Sequence, residues 1–180
     1  AFALALASRS GSLARGTGGE WAQVQSTGVA VVVQRCDTAE AVHVRLFVAL
    51  GLRLRATGVW HAAGVLADGL LPKQTAAALS CVYAPKAHGT WTLQRMGAAV
   101  PQRRCVVFSS VAALLGGAGQ ANYSAANACL DALAALRRAC SQTGVSVQWG
   151  AWAELGMAAR GAAAERLAAL EAASGLSRIG

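Results

Sequence analysis

Five short apolar runs, each closed by a polar or glycine-bearing cluster, constrain the fold of this chain more than any other feature. They cover residues 2–7 ahead of "SRSG", 29–33 ahead of Cys36-Asp37, 59–60 ahead of "HAAG", 105–108 ahead of Ser109-Ser110, and 145–149 ahead of Gly150. Runs this short, apolar on both faces, read as buried parallel strands. Helical patterns separate them, over residues 39–54, in two segments within 73–96, and in the alanine-rich stretch 124–140. Strand and helix alternating in this way predict an α/β fold: a doubly wound parallel sheet, Rossmann-like, with right-handed crossovers. Ligands of such a sheet sit outside the carboxyl ends of its strands, where every one of these polar clusters falls. A further helix is expected around residues 162–173, and "GSLARGTGG" at 11–19 reads as a flexible loop.

Composition supports one globular domain with a real core, since 55% of the 180 residues are apolar and only 13% charged. Sixteen Lys and Arg against eight acids give a net charge of +8, yet no block of five or more like charges occurs. That pattern is a solvated basic surface suited to phosphates or to an acidic carrier, and no nucleic-acid partner is expected. Cys36, Cys81, Cys105, Cys129 and Cys140 show neither CxxC spacing nor the density of a disulfide framework, so a reducing, cytoplasmic setting is expected and no metal. No run of 18 apolar residues exists to cross a membrane, and the opening "AFALALASRSG" lacks the basic leader of a signal peptide.

The chemistry concentrates in "VVFSSVAALLGGAGQANYSAAN", residues 106–127. Tyr123 and Asn127, four apart at the start of a helix, share one face. Ser110 ends the preceding strand, and the glycines of 116–119 let the chain turn back so that serine and tyrosine face a common ligand. A phenol, with a reference pKa near 10, exchanges protons poorly at neutral pH unless a cation lowers that value, and Lys86 is one of only two lysines. Each residue also has a plainer reading. Tyr123 can be a structural residue at a helix start, Ser109 and Ser110 strand terminators, Asn127 a helix-surface amide, and Lys86 a solvated charge.

Taken in order, "HAAGVLADGLL", "VVFSSVAALLGGAGQANYSAANACLDALAALRR" and "VQWGAWAELGMA" resemble the ketoreductase domain of modular polyketide synthases, a branch of the short-chain dehydrogenase/reductase superfamily. The resemblance runs from "LASRSG" to "GMA". It implies that Tyr123 is the proton donor, that Ser110 hydrogen-bonds the substrate carbonyl, and that Lys86 and Asn127 complete a tetrad. Most of the superfamily carries its lysine four residues after the tyrosine, where Asn127 stands; the polyketide branch carries it upstream, in a block like "APKAHGTWTL" around Lys86.

The reaction so implied is NADPH-dependent reduction of a β-ketoacyl thioester, held on an acyl carrier protein, to the β-hydroxyacyl thioester during polyketide elongation. Other domains of the same synthase would be its neighbours. Arg9 and Ser10 follow the strand where an acidic residue would select NAD, and an arginine there suits the 2′-phosphate of NADPH. Asp37 resembles an aspartate at the adenine, and Ala62, Ala63 and Gly64 a wall beside the cofactor ribose. On the substrate side the resemblance implies Asp68, Trp149, Trp152 and Met157. Asp68 closes Leu66-Ala67-Asp68, where one stereochemical class carries Leu-Asp-Asp; the opposite class carries a tryptophan where Leu115 stands, so the D-configured hydroxyl is expected. Without a ligand, Asp37 and Asp68 would serve as caps and the tryptophans as core.

The family pattern also calls for GxGxxG opening a first helix, whose glycines let the backbone approach a pyrophosphate. "GTGG" at 16–19 and "GGAG" at 116–119 both lack the third glycine. Residues 1–180 are therefore expected to be a single partial NADP-binding domain, incomplete at both ends, without the first strand and glycine helix and without the C-terminal strand. Such a piece would bind NADPH poorly alone and expose two strand edges. The alternative is a non-catalytic structural or decayed reductase domain of a polyketide or fatty acid synthase, although a scaffold has no physical need for Ser110, Tyr123, Lys86 and Asn127 together. A free-standing dehydrogenase would normally keep its lysine after the tyrosine.

Overall fold

All strand pairing in the computed structural model is parallel; residues 3–13, 16–97 and 103–150 are described, with residues 168 and 172. The strands are β1 (Ala3–Ser8), β2 (Ala30–Arg35), β3 (Gly58–His61), β4 (Arg104–Ser110) and β5 (Val145–Trp149). The helices are α1 (Gly18–Ser26), α2 (Ala41–Arg53), α3 (Ala76–Tyr83), α4 (Gly89–Met96), α5 (Ala112–Leu115) and α6 (Ala121–Ala139). Among the described residues the strands form two sheets, β1-β2 and β3-β4-β5. Register runs from Ala3 opposite Ala30 to Ser8 opposite Arg35 in the first, and pairs His61 with Val107 and Ser110 with Trp149 in the second.

Burial separates the two sheets. β4 alternates buried and half-buried positions, and Cys105 and Val107 pack against Leu130 and Ala134 of α6. The buried residues Ala126, Leu130, Leu133, Ala134 and Arg137 recur at helical spacing, so a single stripe of α6 covers β4. A second cluster joins Cys36, Val44 and Leu93, with Phe47, Val48 and Met96 packed around it, and it ties α2 to α4. β1 and β2 differ from expectation: no residue of either is fully buried, and Val32 is 36% exposed. Their apolar sequence reads as burial on both faces, but among the described residues β1 pairs with β2 alone, and α2 packs lightly against it.

Two helical features depart from the sequence pattern. The stretch 11–19, expected to be loop, contributes Gly18 and Gly19 to α1, where Trp21 and Val24 turn one weak apolar face inward. The two glycines mask that i, i+3 pair in the sequence. The two helical segments expected within 73–96 are α3 and α4, but they are preceded by a 3₁₀ turn at Leu71–Lys73 and joined by a π-helical turn at Ala84–His88 that the pattern does not show. Pro85 lies within the π turn and brings no N–H to an α-helical ladder, so the extra residue is accommodated there. The helix expected around 162–173 lies outside the described residues, save for positions 168 and 172, which are helical.

Leu130 is 1% exposed at the centre of the α6–β4 contact. Leu130→Ala is expected to lower unfolding free energy by about 3 kcal/mol, whereas Leu136→Ala, at a 49% exposed position of the same helix, should change it little. Urea denaturation of the two variants side by side checks this.

Candidate active site

The carboxyl end of β4 delivers two serines to opposite faces of the sheet. Ser109 is buried, and its hydroxyl donates to the backbone carbonyl of Asn127 at 3.3 Å, which fixes α6 against the strand end. Ser110 points the other way, half-buried, and its Oγ accepts the Ala112 N–H at 3.2 Å. The chain then makes the single turn of α5 and passes Gly116, whose φ of +75° favours a residue without Cβ, before α6 begins.

Lys86 comes from the π turn and is only 3% exposed. Its Nζ donates to the Phe108 carbonyl at 3.1 Å and lies 5.3 Å from the centroid of the Tyr123 ring. Burial drags its pKa down to about 8, against the opposing pull of Asp131. Asn127 is fully buried; its Nδ2 donates to the Tyr123 carbonyl at 2.8 Å, while its Oδ1 has no hydrogen-bond partner.

Burial pushes the Tyr123 phenol above its usual pKa; hydrogen bonds to the Asn127 and Ser110 side chains pull the other way, and the Asp68 charge adds to the rise. The sequence argument expected Lys86 to lower this value. The geometry gives the reason it does not: the ammonium sits over the ring face, committed to a backbone carbonyl, and desolvation of the phenolate dominates. A phenol held protonated is a proton donor in waiting. With Ser110 beside it, it can hydrogen-bond a carbonyl oxygen and hand it a proton as negative charge develops.

The geometry agrees with comparisons to known proteins. The family model for the KR domain matches residues 1–154. The chain is 42% identical over 154 residues to the polyketide synthase GfsA of Streptomyces halstedii, covering 85% of this chain and 2% of that protein. It is 39% identical over 151 residues to the erythronolide synthase EryA2 of Saccharopolyspora erythraea, covering 84% of this chain and 4% of that one. Among solved structures, the first ketoreductase of the tylosin polyketide synthase superposes with a TM-score of 0.81 at 36% identity, over 93% of this chain and 36% of that one. The chain belongs to the KR domain family. It spans a few per cent of the length of those synthases and about a third of the solved ketoreductase chain.

Among the described residues, the cofactor-side candidates of this KR domain chain fall at the carboxyl ends of the other strands. Arg9 and Ser10 are exposed just beyond β1, Ser10 within a serine cluster in which its Oγ lies 2.8 Å from that of Ser12. Arg35, which the sequence reading passed over, ends β2 opposite Ser8 and is also exposed. Gly11 packs onto it so tightly that a Cβ there would lie 2.9 Å from the Arg35 Cβ. Asp37 turns its carboxylate back to the Ala39 N–H at 3.0 Å in a local turn, ahead of α2, whose cap position is Glu40. Ala62, Ala63 and Gly64 follow directly on β3. Two exposed guanidiniums beside a close-packed glycine turn fit the phosphate end of a nucleotide, and the orphaned Asn127 Oδ1 adds an unused acceptor deep in the site.

On the opposite side, Asp68 is half-buried and its Oδ2 accepts from Gln120 Nε2 at 3.4 Å. Trp149 packs its ring edge-on against Phe108, centroids 5.8 Å apart, as a core residue would, while its backbone carbonyl accepts the Val111 N–H. Leu115 stands 64% exposed on α5. Trp152 and Met157 lie outside the described residues.

His61, at the end of β3, is 4% exposed and shares a hydrogen bond of 3.1 Å with Thr90 Oγ1; burial and then the Lys86 charge lower its pKa to about 4. The folded state therefore holds it neutral while the unfolded chain takes up a proton near pH 6.5. Its contribution is complete above pH 6.5 and is lost as pH falls toward 4. The loss is on the order of 3 kcal/mol. Denaturation midpoints measured across that window should fall in the parent and fall much less in His61→Gln.

Proposed function

We propose that this chain is part of a ketoreductase domain that reduces a β-ketoacyl thioester, carried on an acyl carrier protein, to the β-hydroxyacyl thioester within a cytoplasmic polyketide synthase. The observation that carries this is the convergence of Ser110, Tyr123, Lys86 and Asn127 around the end of β4, with the ammonium 5.3 Å from the phenol ring centroid. A scaffold domain has no use for a buried ammonium beside a buried phenol, because burying both is costly unless the charge is used.

A reduced nicotinamide supplies the hydride when bound. Ser110 and Tyr123 hold the ketone oxygen by hydrogen bonds, and the raised pKa of Tyr123 keeps its proton in place until the oxygen becomes basic enough to take it. Lys86, with a pKa of about 8, remains largely ammonium at neutral pH and offsets the phenolate left behind. Asn127 holds the first turn of α6 through the Tyr123 carbonyl, so the phenol meets the substrate from a fixed direction. Arg9 and Arg35 favour the 2′-phosphate of NADPH over NADH. Ala62, Ala63 and Gly64 line the ribose, and the Leu66-Ala67-Asp68 segment favours the D-hydroxyl product. The 180 residues hold no GxGxxG sequence, so this reading assigns none of them to a glycine-rich pyrophosphate loop.

The test is consumption of NADPH by the parent protein with a β-ketoacyl thioester surrogate. Tyr123→Phe should lose about 10²–10⁴-fold in kcat while NADPH binding persists, and Lys86→Met should lose activity with binding weakened. A folded, NADPH-binding parent that turns nothing over would favour the scaffold role and sink this reading.

A further inference from the structure

The Lys86 ammonium is buried, and the two groups described against it are both neutral: the Phe108 carbonyl and the face of the Tyr123 ring. A cation so placed needs an opposite charge nearby to keep its proton. Along α6, Tyr123, Asn127 and Asp131 recur at helical spacing, so Asp131 continues the stripe of the site by one further turn. Its carboxylate is half-buried and both oxygens are bonded: Oδ1 accepts from Ser146 Oγ, and Oδ2 accepts from Gln148 Nε2 at 2.9 Å. Both donors belong to β5. In the register of β5 with β4, Ser146 lies opposite Val107 and Gln148 opposite Ser109. The residue between those two on β4 is Phe108, whose carbonyl holds Lys86 Nζ. Carboxylate and ammonium are therefore anchored along the same short stretch of one strand.

We propose that Asp131 is a positioning residue for the reduction: held by β5, its carboxylate keeps the Lys86 amine in the ammonium form and leaves that ammonium facing Tyr123. The inference rests on the reductase reading above. A carboxylate bonded directly to Nζ would hold the cation for itself; one bonded to Ser146 and Gln148 acts through space and leaves the cation to the phenolate. The direction agrees, because the Asp131 charge raises the pKa of Lys86 against the burial that lowers it to about 8. The other groups around the turn leave this task to Asp131. His61, from β3, is neutral above its pKa of about 4, and Tyr123 keeps its proton because burial raises its pKa, with the Asp68 charge adding to the rise. From α3, Tyr83 is likewise raised by burial, and His88, on the turn itself, is exposed beside that ring. Thr90 of α4 and Thr38 of the loop after β2 bring no charge.

The experiment measures kcat/KM for a β-ketoacyl thioester surrogate at saturating NADPH, from about pH 6 to about pH 9, in the parent protein, Asp131→Asn, Asp131→Glu and Ser146→Ala, with Tm for each. In that window the fall in activity on the alkaline side reports loss of the Lys86 proton. Asp131→Asn removes the charge and keeps the shape, so its alkaline limb should move down by about one pH unit, a loss of about fivefold near pH 8 and of little near pH 6. Asp131→Glu should return the limb toward that of the parent. Ser146→Ala, which loses one donor and keeps the charge, should lower Tm with the limb in place. Should Asp131→Asn not fold, Asp131→Ser keeps a hydroxyl for Ser146 and should show the same displacement. An Asp131→Asn profile that superposes on the parent's, or is lowered evenly at every pH, overturns the proposal and leaves Asp131 a tie between α6 and β5. A parent that reduces nothing at any pH overturns the reductase reading and this proposal with it, and is told apart because no profile exists.

Discussion

A lysine ammonium buried to 3% exposure has to be held by groups that remain in place, and at Lys86 those groups set the geometry of everything around it. The Phe108 carbonyl that accepts from Nζ at 3.1 Å belongs to β4, two residues before Ser110. The Tyr123 ring beneath the ammonium belongs to α6. The backbone that carries Lys86 is a π turn between α3 and α4. One cation therefore meets a strand end, a helix start and a helical bulge, and displacing any of the three leaves a buried charge without its partner. Burial lowers the Lys86 pKa to about 8, and the Asp131 charge pulls the other way.

The strand-and-helix alternation was legible because each strand is a short apolar run ended by a polar cluster; residues 145–149 match β5 at both ends. Where the fold escaped the pattern, a local residue hid it. Gly18 and Gly19 masked α1, and the two helices α3 and α4 were legible while the π turn that joins them around Pro85 was not. The apolarity of β1 and β2 promised burial that a two-stranded sheet does not provide. At the site, the neighbourhood of Ser110, Tyr123 and Asn127 followed from spacing, since a strand end, a glycine loop and one helical turn leave few other arrangements. Lys86 did not follow from spacing. A lone lysine 37 residues upstream of a tyrosine reads as a solvated charge, and only family resemblance drew it in. Asn122, whose Oδ1 accepts the Tyr123 N–H and whose Nδ2 donates to the Ala67 carbonyl, escaped the pattern because an asparagine inside the first turn does not read as a cap. The available signal was a helix start whose preceding residue, Gln120, cannot act as a short side-chain cap.

The two halves of the proposed site stand on different sheets. The groups that would handle the proton sit at the end of β4 and on α6, and the cations suited to a nucleotide phosphate, Arg9 and Arg35, sit beyond β1 and β2. What joins them among the described residues is the loop that follows β2. Thr38 Oγ1 donates to the Pro85 carbonyl at 3.2 Å, one residue from Lys86, and a Cβ on Gly89 would come within 2.7 Å of the Thr38 side chain. Gly89 is therefore glycine because Thr38 occupies the space that a side chain would need. The same loop carries Asp37, whose backbone N–H donates to His43 Nδ1, and leads into α2, whose Val44 packs on Leu93 just beyond the Lys86 turn. A nucleotide pressing on the 37–39 loop would press, through Thr38, on the turn that aims the ammonium at Tyr123. The loop beside the proposed phosphate side and the turn that carries Lys86 are joined by two adjoining contacts at Thr38 rather than by the length of the sheet.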